Sequence, residues 1–193
     1  MLGLKLATDP RWVDIAQMNI EDILIDHAYC EQKAASTGIS LILQFPEREK
    51  LVEVVAPIVA EEWGHFRMVM KELKKRGYKF GKKRVDQYVV ELLKLVRSGD
   101  KIERQLMDKL LVSAIIEARS CERFRLLSEN IQDEELKVFY HELMISEAGH
   151  YRTFVDLAKE YMPELEVKQR LDEMLEAEAE IINNLAIRGD RMH

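Results

Sequence analysis

The chain has 193 residues, 47% apolar and 33% charged, with eight glycines, four prolines and a net charge of −6. That length suits one domain with a sizeable core, and the balance points to a helical protein with a charged surface. Two cysteines, Cys30 and Cys121, exclude a disulfide framework and a four-cysteine zinc or rubredoxin-type module, and are expected to be buried reduced thiols.

At the start, Met-Leu-Gly-Leu-Lys-Leu is too short and mixed for a signal peptide. Asp9-Pro10 reads as an N-cap with proline at the first helical position of a short amphipathic lead helix. Ile20, Ile23, Leu24, His27, Ala28 and Ala34 have helical spacing and predict a long helix over about 20–44, with Glu31 among them. Gly38 is a weak point near its end, and Phe45-Pro46 stops it. A helix is expected over about 47–76, where Pro57 should kink it or divide it at Ala56 and Gly77 should end it. A shorter one over about 85–97 closes at Ser98-Gly99, and Asp100 caps the next, over about 101–127. The turn from Ser128 to Asp133 is short, so a helix over about 133–161 returns antiparallel. Pro163 breaks that helix, and Glu164 and Glu166 favour the start of a last one reaching about 187. No segment alternates as a strand would. No apolar run approaches 18 residues, so no membrane span is expected and cytoplasm is the default location.

Within this all-α pattern, two Glu-x-x-His pairs stand out, Glu62/His65 and Glu147/His150. Each follows a lone glutamate by about one helix hairpin: Glu31 precedes Glu62 by 31 residues and Glu117 precedes Glu147 by 30. Residues three apart share a helix face, so each pair can hold one metal ion. None of His27, His141 and His193 has a glutamate three before it. An isolated pair would be an ordinary surface contact; the matched upstream glutamates and the duplicated spacing make the difference. Four helices carrying Glu, Glu-x-x-His, Glu and Glu-x-x-His inward build the di-iron carboxylate site of ferritin-like four-helix bundles. The fold expected is therefore a ferritin-like bundle of two hairpins in a single domain over 1–193, with the 85–97 helix in the crossover and the last helix packed outside.

Hard carboxylate oxygens and imidazole nitrogens suit iron, and four carboxylates supply four negative charges to a diferrous pair. Four such groups aimed into an apolar core would be untenable without cations. Glu31 and Glu117 are read as terminal or bridging ligands, Glu62 and Glu147 as bridges, and His65 and His150 as one ligand per metal. Glu122 competes with Glu117, because Cys121-Glu122 echoes Cys30-Glu31; its spacing of 25 to Glu147 and its neighbours Arg123 and Arg125 favour a surface ion pair instead. Glu61 competes with Glu62, but the second pair has Ser146 at the matching place. His27, one turn before Glu31, is either a support for that ligand or a satisfied core histidine. Tyr29, Trp63 and Tyr151 adjoin the ligands as packing residues or as an electron relay. Met68, Met70, Met107 and Met144 read as core filler.

Residues 71–84 hold eight bases against one acid, a local charge of +7 that leaves −13 for the remainder. Tyr78 and Phe80 are interleaved with Gly77 and Gly81 there. The segment is suited to a polyanion, or is a solvated helix end.

The stretches Asp26-His27-Ala28-Tyr29-Cys30-Glu31-Gln32-Lys33-Ala34-Ala35, Glu61-Glu62-Trp63-Gly64-His65-Phe66 and Ser146-Glu147-Ala148-Gly149-His150-Tyr151 give the chain a closer likeness. It resembles, over nearly its whole length, the MiaE family of bacterial tRNA (2-methylthio-isopentenyl-adenosine) hydroxylases. The resemblance implies hydroxylation of the isopentenyl group on the modified adenosine beside the anticodon. It implies two iron ions held by Glu31, Glu62, His65, Glu117, Glu147 and His150, with dioxygen and two electrons consumed. With no flavin, nicotinamide or iron–sulfur motif in the chain, the electrons are expected from an external donor protein. Lys74, Lys75, Arg76, Lys79, Lys82, Lys83 and Arg84 are expected to meet the phosphates of the tRNA anticodon stem-loop. Eleven residues at 1.5 Å each put Arg76 roughly 16 Å from His65. The rival readings are an iron-oxidising or peroxide-detoxifying ferritin-like protein, a quinone-precursor hydroxylase and a metal-free structural bundle.

Overall fold

The computed structural model describes residues 2–82 and 85–193, which form seven helices with no strand among them. They are α1 (Arg11–Gln17), α2 (Ile20–Gln44), α3 (Glu49–Lys75), α4 (Gln87–Leu93), α5 (Ile102–Asn130), α6 (Glu134–Tyr161) and α7 (Glu164–Asn184). The chain divides into two compact units, one of residues 14–85 and 188–192, the other of residues 1–13, 86–187 and 193, with the division falling inside α1.

The first unit is the α2/α3 hairpin. Ile23, Leu24, Ala28, Leu51, Val55, Val69 and Leu73 recur at helical spacing and are buried, which is the amphipathic pattern that drives two helices together. Gly38 has a packing reason: a Cβ there would lie 2.5 Å from Val59 Cγ2 and 3.3 Å from Val55 Cγ1, so the absent side chain lets α3 approach α2. Of the two outcomes expected at Pro57, a kink or a division, α3 does not divide, and the helix runs unbroken past the proline. Pro57 and Glu53 are both exposed, so the carbonyl four residues before the proline reaches water instead of an N–H. The helix ends as Gly77 allows: φ is +74° at Gly77, its N–H donates to the Lys74 carbonyl at 3.1 Å, and the Tyr78 N–H donates to the Leu73 carbonyl at 2.9 Å. These are the two bonds of a Schellman stop.

In the second unit α5 and α6 pair as a hairpin, with α4 and α7 packed on it. Leu106, Leu110, Leu111, Phe124, Leu136 and Tyr140 supply its core. Asp133 caps α6, its carboxylate accepting from the Leu136 N–H at 3.1 Å. Several boundaries differ from expectation. Helix α4 starts at Gln87 with Asp86 as its cap and closes at Leu93, not near Arg97. The cause lies outside the segment: the Arg97 N–H and guanidinium donate to the buried Asp108 carboxylate at 2.8–2.9 Å, which draws the chain out of the helix. Lys101, not Asp100, occupies the cap position of α5. The Asp9 carboxylate accepts from the Arg11 N–H at 2.9 Å, and α1 begins after Pro10 instead of at it.

Neither cysteine is in a disulfide, and both are half-buried, where full burial was expected. Among the methionines Met107 is core, whereas Met68 is 37% exposed. No helix is long and apolar enough to cross a membrane, among the described residues.

Candidate metal centre

Each hairpin builds the same constellation. In the first unit, α2 brings Glu31 and α3 brings Glu62 and His65 so that one ligand atom from each lies within 4.8 Å of the others. His65 Nδ1 is 3.5 Å from Glu31 Oε2 and 3.8 Å from Glu62 Oε2. Glu31 and Glu62 are buried, and the His65 side chain is 12% exposed. Glu61 lies on the exposed face of the same helix, so helical phase separates the two adjacent glutamates.

In the second unit, α5 brings Glu117 and α6 brings Glu147 and His150 within the same 4.8 Å limit. His150 Nδ1 is 3.5 Å from Glu147 Oε2, and all three residues are buried. Each hairpin thus gathers two buried carboxylates and one imidazole in a small volume. Such a donor set fits a hard divalent cation such as iron(II), and it is a poor fit to an apolar interior without one.

Around these residues the structure supplies partners that the sequence left open. His27 is completely buried, with Nε2 2.6 Å from Glu31 Oε1, a contact that fixes the orientation of that carboxylate. Glu122 takes a different part. Its carboxylate accepts from the Thr8 N–H at 3.2 Å and the Thr8 hydroxyl at 2.7 Å, and it is ion-paired to Arg119. Arg119, itself fully buried, also donates to both oxygens of buried Glu178 at 2.9 and 3.0 Å, while Tyr88 donates to Glu178 at 3.1 Å. The surface ion pair expected of Glu122 is therefore a buried one, with Arg119 as the partner in place of Arg123 or Arg125. Arg123 is buried as well and lies 4.7 Å over the Trp12 ring. Sequence reasoning did not find this network, because Thr8, Tyr88 and Glu178 carry no local signal that marks them.

Tyr29 is buried and its hydroxyl donates to the Gly81 carbonyl at 3.0 Å; Tyr151 is half-buried, and burial raises its phenol above the ordinary range. Trp63 is 48% exposed. Of the basic residues, Lys74, Lys75, Lys79 and Lys82 are exposed, whereas Arg76 is half-buried and ion-paired with Glu72 one turn before it. Lys83 and Arg84 lie outside the described residues.

A family model described as tRNA-(MS[2]IO[6]A)-hydroxylase (MiaE) matches residues 2–193. A Pseudomonas putida protein named tRNA 2-(methylsulfanyl)-N(6)-isopentenyladenosine(37) hydroxylase is 38% identical, the match covering 94% of this chain and 87% of that one. A Salmonella typhimurium protein of the same name is 28% identical, over 93% and 83% of the two chains. Among solved structures, a Synechococcus protein described as having aldehyde deformylating oxygenase activity superposes with a TM-score of 0.93 at 32% identity, covering 98% of this chain and 94% of that one. The fold is the all-α, ferritin-like class, its four long helices α2, α3, α5 and α6 accompanied by α1, α4 and α7.

Proposed function

The chain belongs to the MiaE family of tRNA hydroxylases, and from that membership we infer that it hydroxylates the isopentenyl group of a 2-(methylsulfanyl)-N6-isopentenyladenosine in tRNA. We propose further that it does so as a non-haem di-iron monooxygenase, with the whole chain acting as one domain in the cytoplasm. Glu31, Glu62 and His65 from one hairpin and Glu117, Glu147 and His150 from the other would hold the two iron ions. When bound, the irons supply the activation of dioxygen with two electrons, which an external donor protein delivers. The observation that carries this reading is the repeated gathering of two buried glutamates and one histidine within 4.8 Å in each hairpin.

The chain's own residues have separate tasks. His27 fixes the orientation of Glu31 through their 2.6 Å contact, so that the carboxylate need not reorganise when a cation arrives. The apolar residues around the ligands exclude water, which protects a reactive oxidant from side reactions. Exposed Lys74, Lys75, Lys79 and Lys82 at the end of α3 and in the loop after it contact tRNA phosphates, positioning the substrate without reading its sequence. Arg76 is drawn toward Glu72 and contributes less than the four lysines. A flipped-out base would then deliver its prenyl tail to the metal ligands.

The test is direct. The protein is loaded anaerobically with iron(II), then given dioxygen, a reductant and a prenylated anticodon stem-loop. The expected product nucleoside is heavier by one oxygen atom. Iron oxidation or peroxide consumption with no change in the nucleoside would favour the ferritin-like alternative.

A further inference from the structure

Beyond the clustered ligands, the first unit carries a run of rings that the proposed chemistry does not use. Tyr29 stacks on Phe80 at 4.4 Å between centroids, Phe80 meets Phe66 edge-on at 5.8 Å, and Phe66 stacks on Trp63 at 4.8 Å. The inner end is buried at Tyr29, and the outer end is Trp63, whose indole is half in solvent. Packing one face of Trp63 on Phe66 restricts the ring while leaving indole surface open. Beside it is a pocket of about 290 Å³ lined by Gln32, Lys33, Ala35, Ser36, Ile39 and Trp63. That volume is at the small end for ligand sites, suited to one heterocycle. Its wall combines an aromatic and two aliphatic side chains with an amide, a hydroxyl and an ammonium, the groups that stack on a base and bond to its edge.

We propose that Trp63 and this pocket bind one unstacked base of the tRNA anticodon loop, distinct from the base that is hydroxylated. The inference rests on tRNA being the substrate. Two features favour an RNA occupant. The first is charge: Lys33 lines the pocket, and exposed Lys74, Lys75, Lys79 and Lys82 belong to the same unit. The second is continuity: Phe80 sits between Lys79 and Lys82 and joins the basic loop to Trp63 through Phe66. A cationic track with an aromatic platform is how proteins hold single-stranded nucleic acid. The separation from the reacting base follows from helix geometry. Gln32 and Trp63 directly follow Glu31 and Glu62, but successive helical residues turn by about 100°, and here the glutamates are buried while Gln32 and Trp63 are exposed. The pocket therefore opens on a different face of α2 and α3 from the one that carries the carboxylates, so the base it holds is assigned as a neighbour of the reacting one.

The experiment titrates a prenylated anticodon stem-loop into the parent protein, Trp63→Ala and Trp63→Phe, following affinity at several salt concentrations and tryptophan fluorescence. Circular dichroism checks that the variants remain helical. Trp12 is buried, so Trp63 is the indole open to quenching by a stacked base. The expected result is that Trp63→Ala weakens binding about tenfold, as loss of one base–aromatic stack does. Trp63→Phe should retain most of the affinity, and the salt slope should be unchanged because no ionic contact is lost. Parent fluorescence should be quenched on binding, and that of Trp63→Phe should not. If the parent binds the stem-loop while Trp63→Ala binds equally well and the parent shows no quenching, the proposal is overturned and the ring face is left to a protein partner. If the parent itself fails to bind the stem-loop, the tRNA reading falls, and the pocket assignment with it.

Discussion

Glu117 and Glu122 lie five residues apart on α5 and are both buried, yet their surroundings require opposite responses to the same substitution. Glu117 shares a 4.8 Å cluster with the carboxylate of Glu147 and with His150. Two like charges at that distance repel by about 3 kcal/mol at an effective dielectric of 20. In the metal-free protein, Glu117→Gln removes that repulsion, so unfolding should become harder by up to about 3 kcal/mol; at about 2–4 °C per kcal/mol for a chain of this size, the midpoint rises. Under anaerobic iron(II) loading the same variant should hold fewer than two irons per chain. Glu122 accepts from Thr8 twice and pairs with Arg119, so Glu122→Gln takes a charge from a buried network and should cost about 3 kcal/mol. It should nevertheless bind iron as the parent does. Chemical denaturation of the metal-free proteins and metal analysis of the loaded ones read both effects. A Glu117→Gln variant that is less stable than the parent and fully loaded, beside a Glu122→Gln variant that has lost iron, would refute the assignment.

Four more outcomes follow from the same geometry. Either His65→Ala or His150→Ala, metal-replenished and still helical by circular dichroism, should lose hydroxylation altogether; full turnover by one of them would contradict a coupled pair of irons. Gly38→Ala should destabilise the parent by about 1–3 kcal/mol through overpacking on Val59, but should stabilise a Val59→Ala background by up to about 1 kcal/mol through helix propensity, and the sign change in urea denaturation is the test. Burial pushes the Asp108 carboxyl upward, but Arg97 and Arg170 more than offset this and hold it below the usual carboxylate value of 3.8. Its stabilisation is therefore complete above that value and is lost as pH falls through the lower folded one, so Asp108→Asn should cost about 3 kcal/mol at pH 7 with the deficit shrinking in acid; a deficit constant from pH 7 to 2 would contradict this. Replacing Lys74, Lys75, Lys79 and Lys82 together by glutamate should weaken stem-loop binding and flatten its dependence on salt, and unchanged affinity and slope would reduce the segment to a solvated helix end.

Much of this protein was legible in its sequence because the signals were local. The span 20–44 follows from apolar spacing and the Phe45-Pro46 stop, and α2 has those bounds. Gly77 ends α3 because only a residue tolerant of positive φ closes both Schellman bonds. Glu62 was separated from Glu61 by comparing the two repeats, and helical phase puts one inside and the other outside. These decisions depend on residues within a turn of one another, or on a duplicated interval, and a linear sequence records both.

What tertiary structure decided depends on residues distant in the chain. Glu122 has Thr8 as a partner 114 residues before it, and Arg119 pairs with Glu178 59 residues after it, so no local pattern could distinguish a buried network from a surface pair. Helix α4 stops early because Arg97 turns to Asp108, and α3 continues through Pro57 because that face meets water. Trp63 could be read as packing or as relay, and the position of Phe66, Phe80 and the pocket beside it selects among its surfaces. The sequence determined which residue types recur at the Glu-x-x-His intervals and which face of each helix they occupy. Only the folded chain decided which buried charge meets a counter-charge and which meets another carboxylate, because electrostatic energy is set by separation in space and not along the backbone.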